Sequence, residues 1–162
     1  MVVSSKYMVS KKILTFLDTH HVSYELVEHR QVFTAYDTAA TLHIPLQSVI
    51  KTLCVSGNRG EVFFVLVPAS KKVDVKKLAK SLVCSRVSLP SERELSKKLK
   101  VKLTTAPPLP LGFFYACKTV MEKNLCGLKK AYLGSGDFRF SLVVSPKALA
   151  KIPEMSMGSF CQ

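Results

Sequence analysis

Val49-Ile50-Lys51-Thr52-Leu53-Cys54-Val55 reads as a buried strand, by its length and its β-branched content. Lys51 stands in the middle of it. A lysine with apolar residues on both sides must snorkel to water or meet a group that compensates its charge. An anionic ligand in a pocket is one such group; an edge-strand lysine reaching solvent is the plainer reading. After Ser56-Gly57-Asn58-Arg59-Gly60 comes a second apolar run, Glu61 to Val67, closed by Pro68. Two such runs around a Gly-containing turn predict a β-hairpin.

Helical and strand patterns alternate on both sides of this hairpin. Val9, Ile13, Phe16 and Leu17 lie at helical spacing within Ser5 to Asp18, and Ser23 to Glu28 is strand-like. Thr34-Ala35-Tyr36-Asp37 has the form of a capping box and opens a helix through Ala39, Ala40 and Leu42, which Pro45 ends. Asp74 can cap a helix burying Val75, Leu78, Ala79 and Leu82, and Ser91-Glu92-Arg93-Glu94 is a second capping box after a short strand at Arg86 to Leu89. Thr104 to Gly112 is Pro-rich and irregular. Strands are expected at Phe113 to Met121 and Phe138 to Val144, then a helix from Ser145-Pro146 to Ile152, with a loosely held tail from Pro153. The sum is an α+β chain with a mixed or antiparallel sheet and helices packed around it.

At 162 residues the chain is read as one domain, residues 1–162 with a core of about 13–152. Its 24 Lys+Arg against 11 Asp+Glu give a net charge of +13, more than solubility requires. Such an excess points to a polyanion, either nucleic acid or an anionic membrane face. No apolar stretch is long enough to span a membrane, and Met1 to Tyr7 lacks the form of a secretory signal. The five cysteines are widely spaced, without a C-x-x-C pair, and read as reduced packing thiols in a cytoplasmic setting.

Several chemistries are missing from the pattern. There is no Walker-type phosphate loop, no G-x-G-x-x-G after a strand and no G-x-S-x-G elbow. The four histidines lack metal-ligand spacing, so neither a metal nor a nucleotide cofactor is expected. Lys71, Lys72, Lys76, Lys77 and Lys80 form a dense basic stretch suited to nucleic-acid phosphates, though a solvated helix face is the default. Aromatic residues interleaved for base stacking are not evident.

Tyr24, His29, Val32-Phe33-Thr34-Ala35, Ala39-Ala40, Val49-Ile50-Lys51-Thr52-Leu53, Val67-Pro68-Ala69 and Val73-Asp74 follow one another in an order that resembles the YbaK/prolyl-tRNA synthetase-associated domain. Ser91 to Leu95, the Pro-rich loop, Ser135-Gly136 and Leu142 to Ser145 continue it, so the resemblance spans roughly Ile13 to Ile152. It implies a mixed, partly barrel-like sheet flanked by helices. It also implies a free-standing aminoacyl-tRNA deacylase working in trans, cleaving alanine or cysteine from mischarged tRNA for proline. The implied partners are the 3′ acceptor end of aminoacyl-tRNA and prolyl-tRNA synthetase.

The resemblance carries the family's signature lysine onto Lys51, linked to the terminal adenosine phosphates and to activity, with His29 on a histidine near the pocket. Thr34, Ser135, Gly136 and Glu122 fall on further substrate-binding positions, although Thr34 is first a helix cap and Glu122 could equally face water. The family's G-x-x-x-P loop fits Thr104 with Pro108 or Ala106 with Pro110. The second register is preferred, because it keeps Pro110-Leu111-Gly112 against the family's Pro-Phe-Gly. Neither register supplies the glycine, a departure that bears on catalysis and not on the fold. A catalytically weakened RNA-binding relative and a basic protein-interaction module are the competing readings.

Overall fold

The computed structural model describes residues 9–103 and 108–162. The hairpin forms as β2 (Ile50–Gly57) and β3 (Val62–Pro68), antiparallel, with Lys51 opposite Val67. Every residue of β3 is buried. A strand covered on both faces reads as a continuous apolar run rather than an alternation, which is why Val62 to Pro68 is so uniformly hydrophobic.

Around this hairpin run α1 (Lys11–Thr19), β1 (Tyr24–Glu28), α2 (Ala35–Leu42), α3 (Val75–Ser81), β4 (Val87–Ser88), α4 (Glu92–Leu99), β5 (Lys118–Glu122), β6 (Ala131–Gly134), β7 (Phe140–Val144), α5 (Pro146–Ala150) and β8 (Ser156–Gly158). Five strands align as β4-β2-β3-β5-β8, with β3-β5 and β5-β8 parallel; three align as β1-β7-β6, all antiparallel. A bridge between Val49 and Tyr132 joins the two sheets, and among the described residues no barrel closes. The mixed α+β architecture expected from the sequence is the one observed.

Strand alternation divides the core. Ile50, Leu66 and Met121 meet Leu133, Leu142 and Val144 of the smaller sheet, together with Ile13 and Leu17 of α1 and Leu149 of α5. On the opposite face Val55, Phe63, Val65 and Val67 pack with Leu78 and Leu82 and with Phe160 from the C-terminus. Each such side chain, fully buried, contributes about 1.5–3 kcal/mol relative to exposure.

Local cap chemistry places all five of these helices. Ser10, Thr34, Ser91 and Ser145 each accept a backbone N–H at a helix start, and Asp74 accepts two, from Lys76 and Lys77. The Ser91 box is reciprocal, its hydroxyl also donating to Glu94 Oε1 at 3.2 Å.

Several expectations are corrected. Val75 is 56 % exposed rather than buried. The stretch expected as one strand from Phe113 divides: residues Gly112–Tyr115 form a 3-10 turn, and only from Lys118 does the chain extend. The turn lets both Phe113 and Phe114 reach Phe16, at 5.5 and 5.2 Å between ring centroids. A strand would send them to opposite faces.

The tail is ordered, not loose. β8 pairs with β5, Cys161 bridges to Val73, and Phe160 is fully buried. The expected helix start at Ser5 lies outside the described residues, as do Thr104 and Ala106.

Candidate active site

Lys51 lies near the start of β2. Val55, on the same strand face, joins a core cluster with Leu78 and Leu82, whereas Lys51 is exposed. The lysine therefore snorkels rather than sitting desolvated. What it borders is a cleft of about 440 Å³. Four further segments close around it: the start of α2, Ala69 after β3, Pro108 and Pro110, and the stretch from Tyr132 through Ser141.

Each wall is held by identifiable bonds. Thr34 Oγ1 accepts from Asp37 N–H at 3.1 Å, so the hydroxyl is committed to capping α2 while the residue faces the cleft. Thr52 Oγ1 donates to the Pro110 carbonyl at 3.2 Å, tying the Pro-rich segment to the strand that bears Lys51. The Leu109 N–H donates to Tyr115 Oη at 2.8 Å from the other side.

Ser135, buried, donates its hydroxyl to the Phe140 carbonyl at 2.7 Å and accepts from Asp137 N–H at 3.2 Å. Its side chain thus pins its own turn rather than offering a free group. Gly136 sits at φ +86°, where a side chain would be strained, and a Cβ would lie 2.8 Å from Leu109 Cδ2.

His29 does not line the cleft but reaches it through Ser141, which does. His29 Nδ1 lies 2.7 Å from the Arg30 carbonyl, and Nε2 lies 2.8 Å from Ser141 Oγ. A carbonyl only accepts, so Nδ1 carries the proton; in the neutral ring Nε2 then accepts from the serine hydroxyl.

Of the candidate residues, Lys51, Thr34, Pro110, Ser135 and Gly136 come together, with His29 behind them. Glu122 does not line the cleft. Its Oε1 accepts from Phe160 and Cys161 N–H, both at 2.8 Å, and its Oε2 from Asn124 N–H at 3.1 Å. Burial pushes its carboxyl pKa up, but these donors outweigh burial and hold it below the ordinary value. Glu122 is thus an anchor for the C-terminal tail.

Lys71, Lys72, Lys76, Lys77 and Lys80 are all exposed and lie outside the cleft lining. The thiol of Cys54 is pushed up to about 12 by burial first and by Cys117 second, which leaves it protonated and poorly nucleophilic. Asp137 is the residue the sequence reading passed over. Among the described lining residues it is the one carboxylate and Lys51 the one cation. Only the turn fixed by Ser135 and Gly136 brings Asp137 to the cleft, and no local motif announces that.

The α+β scaffold thus carries a cleft lined largely by apolar side chains, with one cation and one carboxylate among its described lining residues. Residues 29–152 match the family described as the aminoacyl-tRNA editing domain, and the chain belongs to that family. It is similar to the prolyl-tRNA editing protein ProX of Acetoanaerobium sticklandii, 26 % identical over 153 residues that cover 91 % of this chain and 92 % of the relative. Two crystal structures share the fold. One, of a hypothetical protein, has a TM-score of 0.81 at 22 % identity, covering 94 % of this chain and all of the other. The second, of a candidate trans-editing enzyme for prolyl tRNA synthetase, has a TM-score of 0.74 at 16 % identity, covering 100 % and 99 % of the two chains. No helix among the described residues is long and apolar enough to cross a membrane.

Proposed function

We propose that this chain, acting as one editing domain, hydrolyses in trans the ester of tRNA for proline mischarged with alanine or cysteine. The observation that carries the reading is Lys51 at the edge of a cleft of about 440 Å³ in a chain of the editing family. Its ammonium group pairs with a phosphate of the terminal nucleotide and sets the aminoacyl end in the cleft. Asp137 meets the α-ammonium group of the amino acid. Pro110 and the turn at Ser135-Gly136 wall the acyl side chain, and His29 fixes the Ser141 hydroxyl beside them.

The aminoacyl ester is already reactive, so orientation supplies most of the acceleration. Water attacks the carbonyl carbon, aided by the free hydroxyl of the terminal ribose. The acyl C–O bond then breaks and the proton passes to the ribose oxygen. A small site admits alanine or cysteine and disfavours the larger correct residue. The reaction would take place in the cytoplasm, beside prolyl-tRNA synthetase.

The test is deacylation of Ala-, Cys- and Pro-charged tRNA by the wild type and by Lys51→Ala. Turnover of the first two over the third is expected, with kcat/KM of Lys51→Ala lower by about 10- to 100-fold. Absence of turnover on every charged tRNA, with tRNA binding intact, would instead identify an RNA-binding relative that has lost hydrolysis. Ala106→Gly restores the family's loop glycine in the preferred register, and a rise in rate is expected from it.

A further inference from the structure

Five large hydrophobic residues are exposed among the described ones: Phe33, Tyr36, Val75, Val83 and Leu89. Single exposed apolar residues need no explanation. Phe33 and Tyr36 differ in two respects. They are the aromatic members of the set, each 66 % exposed, and both line the cleft that holds Lys51.

Their positions are fixed. Phe33 and Tyr36 flank the cap of α2, where Thr34 Oγ1 holds Asp37 N–H. The Val32 N–H donates to the Phe138 carbonyl at 3.0 Å, and the Phe33 and Phe138 rings meet at 4.9 Å and 57°. Phe33 is therefore supported by one ring while most of its surface stays open. The ordinary reason for an apolar residue just before a helix cap is a staple to the fourth helical residue. Here that residue is Thr38, which is polar, so a staple does not account for the exposure.

The acyl group does not account for the rings either. Alanine and cysteine are too small to use two aromatic faces at the rim. A nucleotide presents a planar base next to a phosphate, and the cleft presents aromatic rings next to one cation. We propose that Phe33 and Tyr36, backed by Phe138, form a stacking platform for the unpaired 3′-terminal base of the RNA. This deepens the editing reading and rests on it. The net charge of +13 favours RNA over a protein surface as the occupant.

An uncharged minihelix with the 3′ end of a tRNA, carrying 2-aminopurine in place of its terminal adenine, tests the platform directly. Binding to the wild type should quench the probe. Phe33→Ala and Tyr36→Ala should each weaken binding about tenfold, and the double variant should abolish the quench. Phe33→Tyr and Tyr36→Phe should restore it. With charged tRNA the alanine variants should raise KM and leave kcat nearly unchanged, because stacking holds ground and transition states alike.

A probe that stays bright in a bound complex, with wild-type deacylation intact, overturns the platform and leaves the editing reading standing. Quenched binding without deacylation by the wild type does the reverse. Alanine variants that bind and quench like the wild type also overturn the proposal.

Discussion

Gly134, which ends β6, and Gly136, in the turn that delivers Asp137, lie two residues apart yet carry different constraints. Gly136 has φ +86° and would press a Cβ on Leu109, whereas Gly134 has no atom within 4 Å of such a Cβ. Gly136→Ala should cost roughly 1–2 kcal/mol in urea unfolding and should lower kcat/KM by moving Asp137. Gly134→Ala should stay within about 0.5 kcal/mol of the wild type. Equal effects from the two would show that the positive φ is not what the turn requires. At this scale the sequence was partly legible. Lys51 stood out because a charge in an apolar run is locally conspicuous, and the cleft is indeed beside it. Its exposure is the plainer of the two outcomes the run allowed, while the walls of the cleft come from distant segments that no local pattern announces. The aromatic rim escaped for a related reason: Phe33, Tyr36 and Phe138 come from segments about a hundred residues apart.

Among the elements, the junction of β5 with the C-terminal tail carries the clearest energetic consequence. Glu122, 38 and 39 residues before its two partners, holds Phe160 and Cys161 through one carboxylate oxygen, and Phe160 fills the cluster beneath α3. Its folded pKa is lowered from an unfolded value near 4.5. The stability it adds is therefore complete above about 4.5 and is lost as pH falls below that toward the lowered folded value. Glu122→Gln should be less stable by about 1–3 kcal/mol at neutral pH. The gap should narrow in denaturant melts as pH drops below about 4.5. Parallel stability-pH curves for the two proteins would exclude this role. Nothing near Glu122 announces its partners, and β8 has only three residues, so the tail read as unanchored. The caps at Thr34, Asp74, Ser91 and Ser145 were legible because donor and acceptor lie within three residues.

Across the whole molecule, the hairpin and the α+β class follow from local periodicity, while sheet order, the Val49–Tyr132 bridge and the cleft depend on long-range pairing that periodicity does not encode. Charge sits between these limits. The excess of +13 is a sequence fact, but its use depends on where the lysines lie. Lys71, Lys72, Lys76, Lys77 and Lys80 are exposed and stand apart from the cleft, so they cannot all serve the aminoacyl end. On the proposed function, we infer that they hold phosphates of the acceptor arm while Lys51 engages the terminus. Contacts of that kind release counterions, and log affinity for tRNA should then fall linearly with log salt. Replacing Lys76, Lys77 and Lys80 together by alanine should flatten the slope by up to about 0.9 per phosphate contact removed, with kcat at saturating tRNA nearly unchanged. Lys51→Ala should flatten it by about one contact at most and should lower turnover as well. An unaltered slope in the triple variant would assign these lysines to a solvated helix face, and tRNA affinity independent of salt would direct the basic surface toward an acidic protein instead.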